Sequence, residues 1–464
     1  MDAPRATPAA HATAPTILGV ESATANALLL LMARTLQETV LPALEGKPRS
    51  AVQDCITIAT RVAHQLAAEG TEPVRLLRSA LESEGPQGAP DWLRRVQAEG
   101  AAIDQSEVEA LQVVASLAEP TPAVRATSGE AIEAYLRGHP MGGAGLRVTA
   151  AKRLSGGRSK QTLLISQEGS AHLPPTFVVR QDWLAAQQEW AKDATSAVQT
   201  EFEVLKFAFG LGMRVPEPLF VEPNPSALGA PFLVVAPMPG KQEGDLFFPP
   251  TSEALALQVA EQMAILHRAT SQQVSDLAEV AKLRLRSHSI DDLRTTLASW
   301  REFVARFDAP SHTIAVGLDW LEQNLPADPG HIGVVHGDIG FHNLLVDGEH
   351  LTAVLDWEMA HLGAAAQDLG YVRSGIEKMT NWDTFLAAYR AAGGPEVNAE
   401  AVDFYTLWGS LWLYTTLLQA RAGLVAGMLR DSEVAVFCVH FMPVLRQRIS
   451  TELRAILSRQ GALA

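Results

Sequence analysis

The sequence predicts an α+β chain: a small all-α domain, then five antiparallel strands interrupted by a helix, then a mainly helical region carrying one hairpin. Three observations lead there. Between residues 20 and 118 the apolar residues recur at helical spacing only. Between 145 and 236 the apolar runs are short and separated by turn residues, as in strands joined by loops. From 251 onward helical spacing returns, except around Asp347-Gly348, a hairpin turn signal with an apolar run on either side.

Taken in order, residues 1–16 are rich in Ala, Pro and Thr, lack a basic-then-apolar leader pattern, and read as a disordered start. Residues 17–119 read as a helical accessory domain. Leu28, Leu31, Leu36 and Val40 recur at helical spacing and Pro42 closes that element. Pro48 opens a second helix, continued by Val52, Ile56, Val62 and Leu66. No catalytic constellation lies in this domain, so partner docking, homo-oligomer formation or a plain structural role is expected of it. Pro120 and Pro122 mark a linker over 120–127. A lead-in helix is expected at 129–138, three strands within 145–181, a helix near 197–209 and two more strands within 216–236.

Composition narrows the function classes. The chain has 464 residues, 47% of them hydrophobic, which suits two or three domains. A formal net charge of −15 argues against a nucleic-acid surface, which needs clustered Lys and Arg. The two cysteines, Cys55 and Cys438, are far apart and form no metal or disulfide pattern, so a cytoplasmic setting is expected. The longest apolar run, 27–33, is too short to cross a bilayer, and no membrane association is expected.

The densest chemistry lies in His336-Gly337-Asp338-Ile339-Gly340-Phe341-His342-Asn343, followed by Leu355-Asp356-Trp357-Glu358. Apolar residues 332–335 read as a buried strand feeding the loop that holds Asp338. The hairpin then puts Asn343 at the start of one strand and Asp356 at the end of the other, adjacent across the ladder. An Asn carbonyl and an Asp carboxylate are hard oxygen ligands of the kind Mg²⁺ takes. Asp338 is placed to orient an attacking hydroxyl and accept its proton. Moving a phosphoryl group from a Mg·nucleotide to a hydroxyl requires such a set in such an order. Taken singly, the same residues fit an ordinary Asp-Gly hairpin with incidental acids; the complete order favours the chemistry.

This constellation resembles the aminoglycoside phosphotransferase and choline kinase superfamily. The His-Gly-Asp form of the loop marks its small-molecule branch. The run 354–363 with Gln367-Asp368-Leu369 is similar to a narrower group, related to the kinase-like domain fused to some acyl-CoA dehydrogenases. The resemblance covers residues 128–455. It implies a bilobal protein-kinase-like fold, with 128–240 as N-lobe and hinge and 241–464 as C-lobe. It implies ATP and Mg²⁺ as cofactors and a small hydroxylated molecule as substrate.

It also implies roles. Asp338 is the catalytic base, Asn343 and Asp356 hold metal, and Glu358 either assists a second metal or stands as an exposed acid. Ser155, Gly156 and Gly157 form a phosphate loop, where small residues let backbone amides approach closely. The family pattern has Asn where this chain has Lys160. Arg180 grips phosphates from the third strand, and Glu201 on the following helix holds it. Glu203 competes for that role, although it lies about 200° round the helix axis from Glu201. Val235 and Met238 flank adenine at the hinge. His336 organises the loop backbone, His267 packs in the C-lobe, and Asp368 steadies the region after the metal loop. Trp408, Trp412, Tyr414 and Leu417 either line an acceptor pocket or form plain core. The acceptor expected is a hydroxyacyl-CoA or related catabolic alcohol. An aminoglycoside or macrolide is the alternative, and a nucleotide-binding pseudokinase scaffold the second alternative.

Overall fold

The structure is a computed structural model, and it describes residues 127–154, 160–182, 198–224, 227–244, 248–286, 289–308, 311–426 and 432–460. The disordered start expected at 1–16, the helical domain at 17–119 and the linker short of Thr127 lie outside the described residues, as do Ser155, Gly156 and Gly157.

Helix α1 (Gly129–Gly138) opens the described chain, capped by Ser128, whose hydroxyl accepts from the Ala131 N–H at 3.2 Å. Five strands follow: β1 (Arg147–Arg153), β2 (Lys160–Glu168), β3 (Thr176–Asp182), β4 (Pro218–Glu222) and β5 (Phe232–Val235). They form one antiparallel sheet in the order β1-β2-β3-β5-β4, and helix α2 (Val198–Gly210) connects β3 to β4.

Strand alternation divides the packing between two cores. Phe177 and Val179 of β3, with Phe232 and Val234 of β5, pack with Ile132 and Leu136 of α1. Leu233 and Val235 point the other way and join Phe202, Val204 and Leu205 of α2. The same alternation places two cations. Arg180 is out of phase with Phe177 and Val179, so it emerges on the α2 side, opposite Thr162 in the β2–β3 ladder. Lys160 is in phase with Thr162 and shares that side.

The remainder is mainly helical: α3 (Glu253–His267), α4 (Ser271–Ala281), α5 (Ile290–Phe307), α6 (His312–Gln323), α7 (Ala365–Ile376), α8 (Trp382–Ala391), α9 (Ala399–Val425) and α10 (Ser432–Arg459). Helix α9 packs between α7 and α10. Between α6 and α7 come β7 (Ile332–Val335), the hairpin β8 (Leu344–Asp347) and β9 (His350–Val354), and β10 (His361–Ala364). Gly348 takes φ 61° at the hairpin turn, as the Asp-Gly signal requires.

An α+β chain with a five-stranded antiparallel sheet and then a mainly helical part agrees with the sequence reading. Two short strands were not legible. Strand β6 (Lys241–Gln242) joins β8, and β10 pairs antiparallel with β7. Neither carries a β-branched or aromatic run; each forms because a neighbouring strand offers an open edge. Asn343 also falls just short of the strand it was expected to begin. It closes a 3₁₀ turn, Phe341–Asn343, immediately ahead of β8. Among the described residues no helix is long and apolar enough to cross a membrane.

Candidate active site

Strand β7 delivers the chain to His336, which is fully buried. Its Nε2 is 2.9 Å from the Leu355 carbonyl oxygen, and its ring sits 4.6 Å from that of Trp357. The loop backbone is gathered by Asp368 on α7. That carboxylate accepts from the His336 N–H at 2.8 Å and the Gly337 N–H at 2.9 Å, and lies 3.2 Å from His267 Nε2. Burial opposes its charge, but the His267 hydrogen bond and nearby positive potential outweigh it and hold the carboxyl below the usual range. Gly337, at φ 80°, has no room for a side chain, since a Cβ would lie 2.5 Å from the Met359 carbonyl oxygen.

Asp338 is thus presented at the end of a rigid loop, with both carboxylate oxygens engaged. The Asn343 side-chain amide donates to the Asp338 backbone carbonyl at 2.9 Å and to Oδ2 at 3.2 Å. The Tyr371 hydroxyl donates to Oδ1. His342 Nε2 stands 3.4 Å from Oδ2.

The hairpin brings Asn343 and Asp356 together at its open end. The ladder's last paired residues are Leu344 and Val354, and the Leu355 N–H then donates to the Asn343 carbonyl at 2.8 Å. Asp356 follows at once with φ 65°, a left-handed conformation that turns the chain sharply out of the strand.

Two cations meet three acids beside it. Arg180 lies 2.7 Å from Glu201 Oε1 and 2.5 Å from Asp356 Oδ1. Lys160 Nζ lies 2.6 Å from Glu201 Oε2 and 2.5 Å from Glu358 Oε2. Signs alternate along the row Asp356, Arg180, Glu201, Lys160, Glu358, so each buried charge has an opposite neighbour. Burial works against the Lys160 and Arg180 charges, yet the acids on either side raise both pKa values. Asp356 is held low, because Arg180 and Lys160 outweigh the cost of burial. Glu358 is pushed up, chiefly by burial and then by Asp356 and Glu201, against the pull of Lys160.

Among the described residues no three His, Cys, Asp or Glu side chains converge as a self-sufficient metal site. The donor set at the hairpin end is instead one anionic carboxylate, Asp356, beside one amide, Asn343. That pair fits Mg²⁺, which keeps waters and draws further oxygens from bound phosphates.

Residues 150–405 match the phosphotransferase enzyme family known as APH. The chain belongs to that family. It is accordingly a phosphotransferase of the small-molecule type. It is also distantly homologous to "Acyl-CoA dehydrogenase family member 11" of Homo sapiens, 26% identical over 260 residues, which is 52% of this chain and 30% of that protein. "Acyl-CoA dehydrogenase family member 10" of Mus musculus is 26% identical over 185 residues, 38% of this chain and 16% of that protein. The chain therefore matches less than a third of the length of either relative. A putative aminoglycoside phosphotransferase from Ralstonia eutropha superposes with a TM-score of 0.53 at 18% identity, covering 71% of this chain and 98% of that one, which establishes the kinase-like fold.

Within this APH phosphotransferase, the structure brings together Asp338 with Asn343, Arg180 with Glu201 and Asp356, and Glu358 with Lys160. Glu203 is not among them; it lies 3.4 Å from Lys206 on the exposed side of α2. Val235 is buried at the end of β5, and Met238 follows, half-buried, in the segment leading to β6. Trp408, Tyr414 and Leu417 are core residues, whereas Trp412 is partly buried with its ring 6.2 Å from that of Tyr371. Two members of the site were missed by sequence reading. Tyr371 carried a usable signal, because it lies three positions after Asp368 and so on the same side of α7. Lys160 was visible only as a departure from the family pattern.

Proposed function

We propose that this phosphotransferase moves the γ-phosphoryl group of Mg²⁺-bound ATP to a hydroxyl of a small molecule, with a hydroxyacyl-CoA or related alcohol as acceptor. Asp338 carries the reading. Its carboxylate is fixed from the loop by Asn343 and from α7 by Tyr371, at the end of the hairpin where Asn343 and Asp356 meet. In the reaction Asp338 orients the acceptor hydroxyl and takes its proton as the O–P bond forms, and ADP leaves.

Arg180, held by Glu201, neutralises phosphate charge as a guanidinium fork. Asp356 and the Asn343 Oδ1 would hold Mg²⁺, which supplies charge neutralisation to the phosphates when bound. Ser155, Gly156 and Gly157 would cover the phosphates, while Val235 and Met238 would flank the adenine. No covalent enzyme intermediate is required; positioning and fixed charge supply the catalysis. The acyl-thioester acceptor is supported by the likeness to two relatives named as acyl-CoA dehydrogenase family members.

The test is Mg²⁺-dependent phosphate transfer from ATP to hydroxyacyl-CoAs, free hydroxy acids, aminoglycosides, macrolides and simple alcohols, with Asp338→Asn as control. A phosphorylated hydroxyacyl-CoA made by the wild type and lost in the variant is the expected result. Product from an antibiotic alone would replace the acceptor assignment. Tight Mg·ATP binding with no product from any acceptor would overturn the proposed transfer.

A further inference from the structure

The proposed chemistry uses Arg180 but leaves the neighbouring Lys160 without a task. Lys160 is an unusual residue to leave over. Its side chain is 1% exposed, it begins β2, and it touches two carboxylates from different parts of the fold. Glu201 comes from α2, and Glu358 from the 3₁₀ turn Trp357–Met359 that follows Asp356. A buried ammonium is costly unless it is fully paired, so this position is retained at a cost that plain packing would avoid.

We propose that Lys160 is a positioning residue for the phosphate and metal site, with Glu358 serving as its anchor rather than as a ligand of the metal. The inference rests on the phosphotransferase reading above. Its geometry is a double strap. Arg180 ties Asp356 to Glu201, and Lys160 ties Glu358 to the other oxygen of the same Glu201. The two straps grip both ends of the Asp356-Trp357-Glu358 turn.

That turn needs gripping. Asp356 sits at φ 65°, where L side chains are rarely found, and such a residue persists only when its surroundings over-determine it. Trp357, in the middle of the turn, is 1% exposed and packs against His336. Lys160 therefore acts on Asp356 at one remove, by fixing the residue two positions on. It also joins the start of β2 to the same turn. Glu358 Oε2 already meets the Lys160 ammonium at 2.5 Å, so a metal ion there would share that oxygen with a like charge.

The experiment is a double-mutant cycle on the full chain with Lys160→Met, Glu358→Gln and the pair combined. Mg²⁺-dependent affinity for a non-hydrolysable ATP analogue is measured by calorimetry, alongside KM for Mg·ATP, kcat and melting temperature. Each single variant should weaken Mg²⁺-dependent binding by about 10–100-fold, as loss of an outer partner of a metal ligand does. The double variant should be no worse than the weaker single, because both remove the same contact. Lys160→Arg should recover part of the affinity by keeping the charge, and it remains informative if Lys160→Met does not fold. Fully additive losses, or a Glu358→Gln loss far larger than that of Lys160→Met, would make Glu358 a direct ligand and overturn the proposal. A lowered melting temperature with Mg·nucleotide affinity kept would reduce Lys160 to packing. Failure of the wild type itself to bind Mg·nucleotide would sink the phosphotransferase reading first, and is seen before any variant is made.

Discussion

Asp338 lies in the loop, Asp368 holds that loop from α7, and the two should fail in different ways. Asp338 has no backbone to hold together, so Asp338→Asn should lower kcat by about 10²–10⁴-fold, the usual worth of a general base. Nucleotide affinity should persist. Parallel loss of both in steady-state kinetics and calorimetry would mean that Asp338 binds rather than reacts. Asp368 instead collects two loop N–H groups and His267, and its side chain is 1% exposed. Asp368→Ala should destabilise the fold by about 3–5 kcal/mol, as removing one partner of a buried charged network does. Its carboxyl is held below the usual aspartate range, so its stabilisation is complete at neutral pH and fades as pH falls through the depressed value. The gap in melting temperature between wild type and Asp368→Ala should therefore be constant near neutrality and narrow only below about pH 4. A gap that closed between pH 6 and 8 would contradict this account.

At the level of elements, α7 reaches the site only because it lies tight against α9. Gly370 sits between Asp368 and Leu369 on one side and Tyr371 on the other, and a Cβ there would be 2.6 Å from the Thr406 nitrogen and the Tyr405 carbonyl carbon. Those are backbone atoms and cannot swing aside. Gly370→Ala should push the helices apart at about 1–3 kcal/mol, a typical overpacking cost, and should lower kcat by displacing Tyr371 from Asp338. Unchanged kcat in a destabilised variant would show that Tyr371 is not needed to hold the base. This dependence explains what could be read from the chain beforehand. The adjacency of Asn343 and Asp356 was legible because one hairpin links them locally, and the five strands were legible from short apolar runs separated by turn residues. Lys160 was not, because its partner Glu358 lies 198 residues away, and Tyr371, 33 residues from Asp338, could be reached only through its helical spacing from Asp368. Strands β6 and β10 were hidden for a related reason: their pairing comes from a neighbour's edge, not from their own residues.

Over the whole of the described chain, the sheet part and the helical part meet at the charged row. Arg180 and Lys160 belong to β3 and β2, whereas Asp356 and Glu358 follow the hairpin. Two ion pairs thus cross between the parts at the position proposed for the nucleotide phosphates. Mg·ATP bound there would touch both sides and should stabilise the fold by mass action, by about 2.7 kcal/mol at one hundred times its dissociation constant. ATP with a chelator should give only a fraction of that shift, since Arg180 can still meet phosphate while the metal link to Asp356 is absent. Asp356→Asn separates the two contributions. It removes the anionic oxygen proposed to hold Mg²⁺ and takes from Arg180 one of its two acidic partners. In thermal melts this variant should respond to ATP equally with and without Mg²⁺, while the wild type responds far more strongly with it. A wild type indifferent to Mg²⁺, or an Asp356→Asn chain that keeps the full Mg²⁺ effect, would remove Asp356 from the metal site and leave its pairing with Arg180 as its whole purpose.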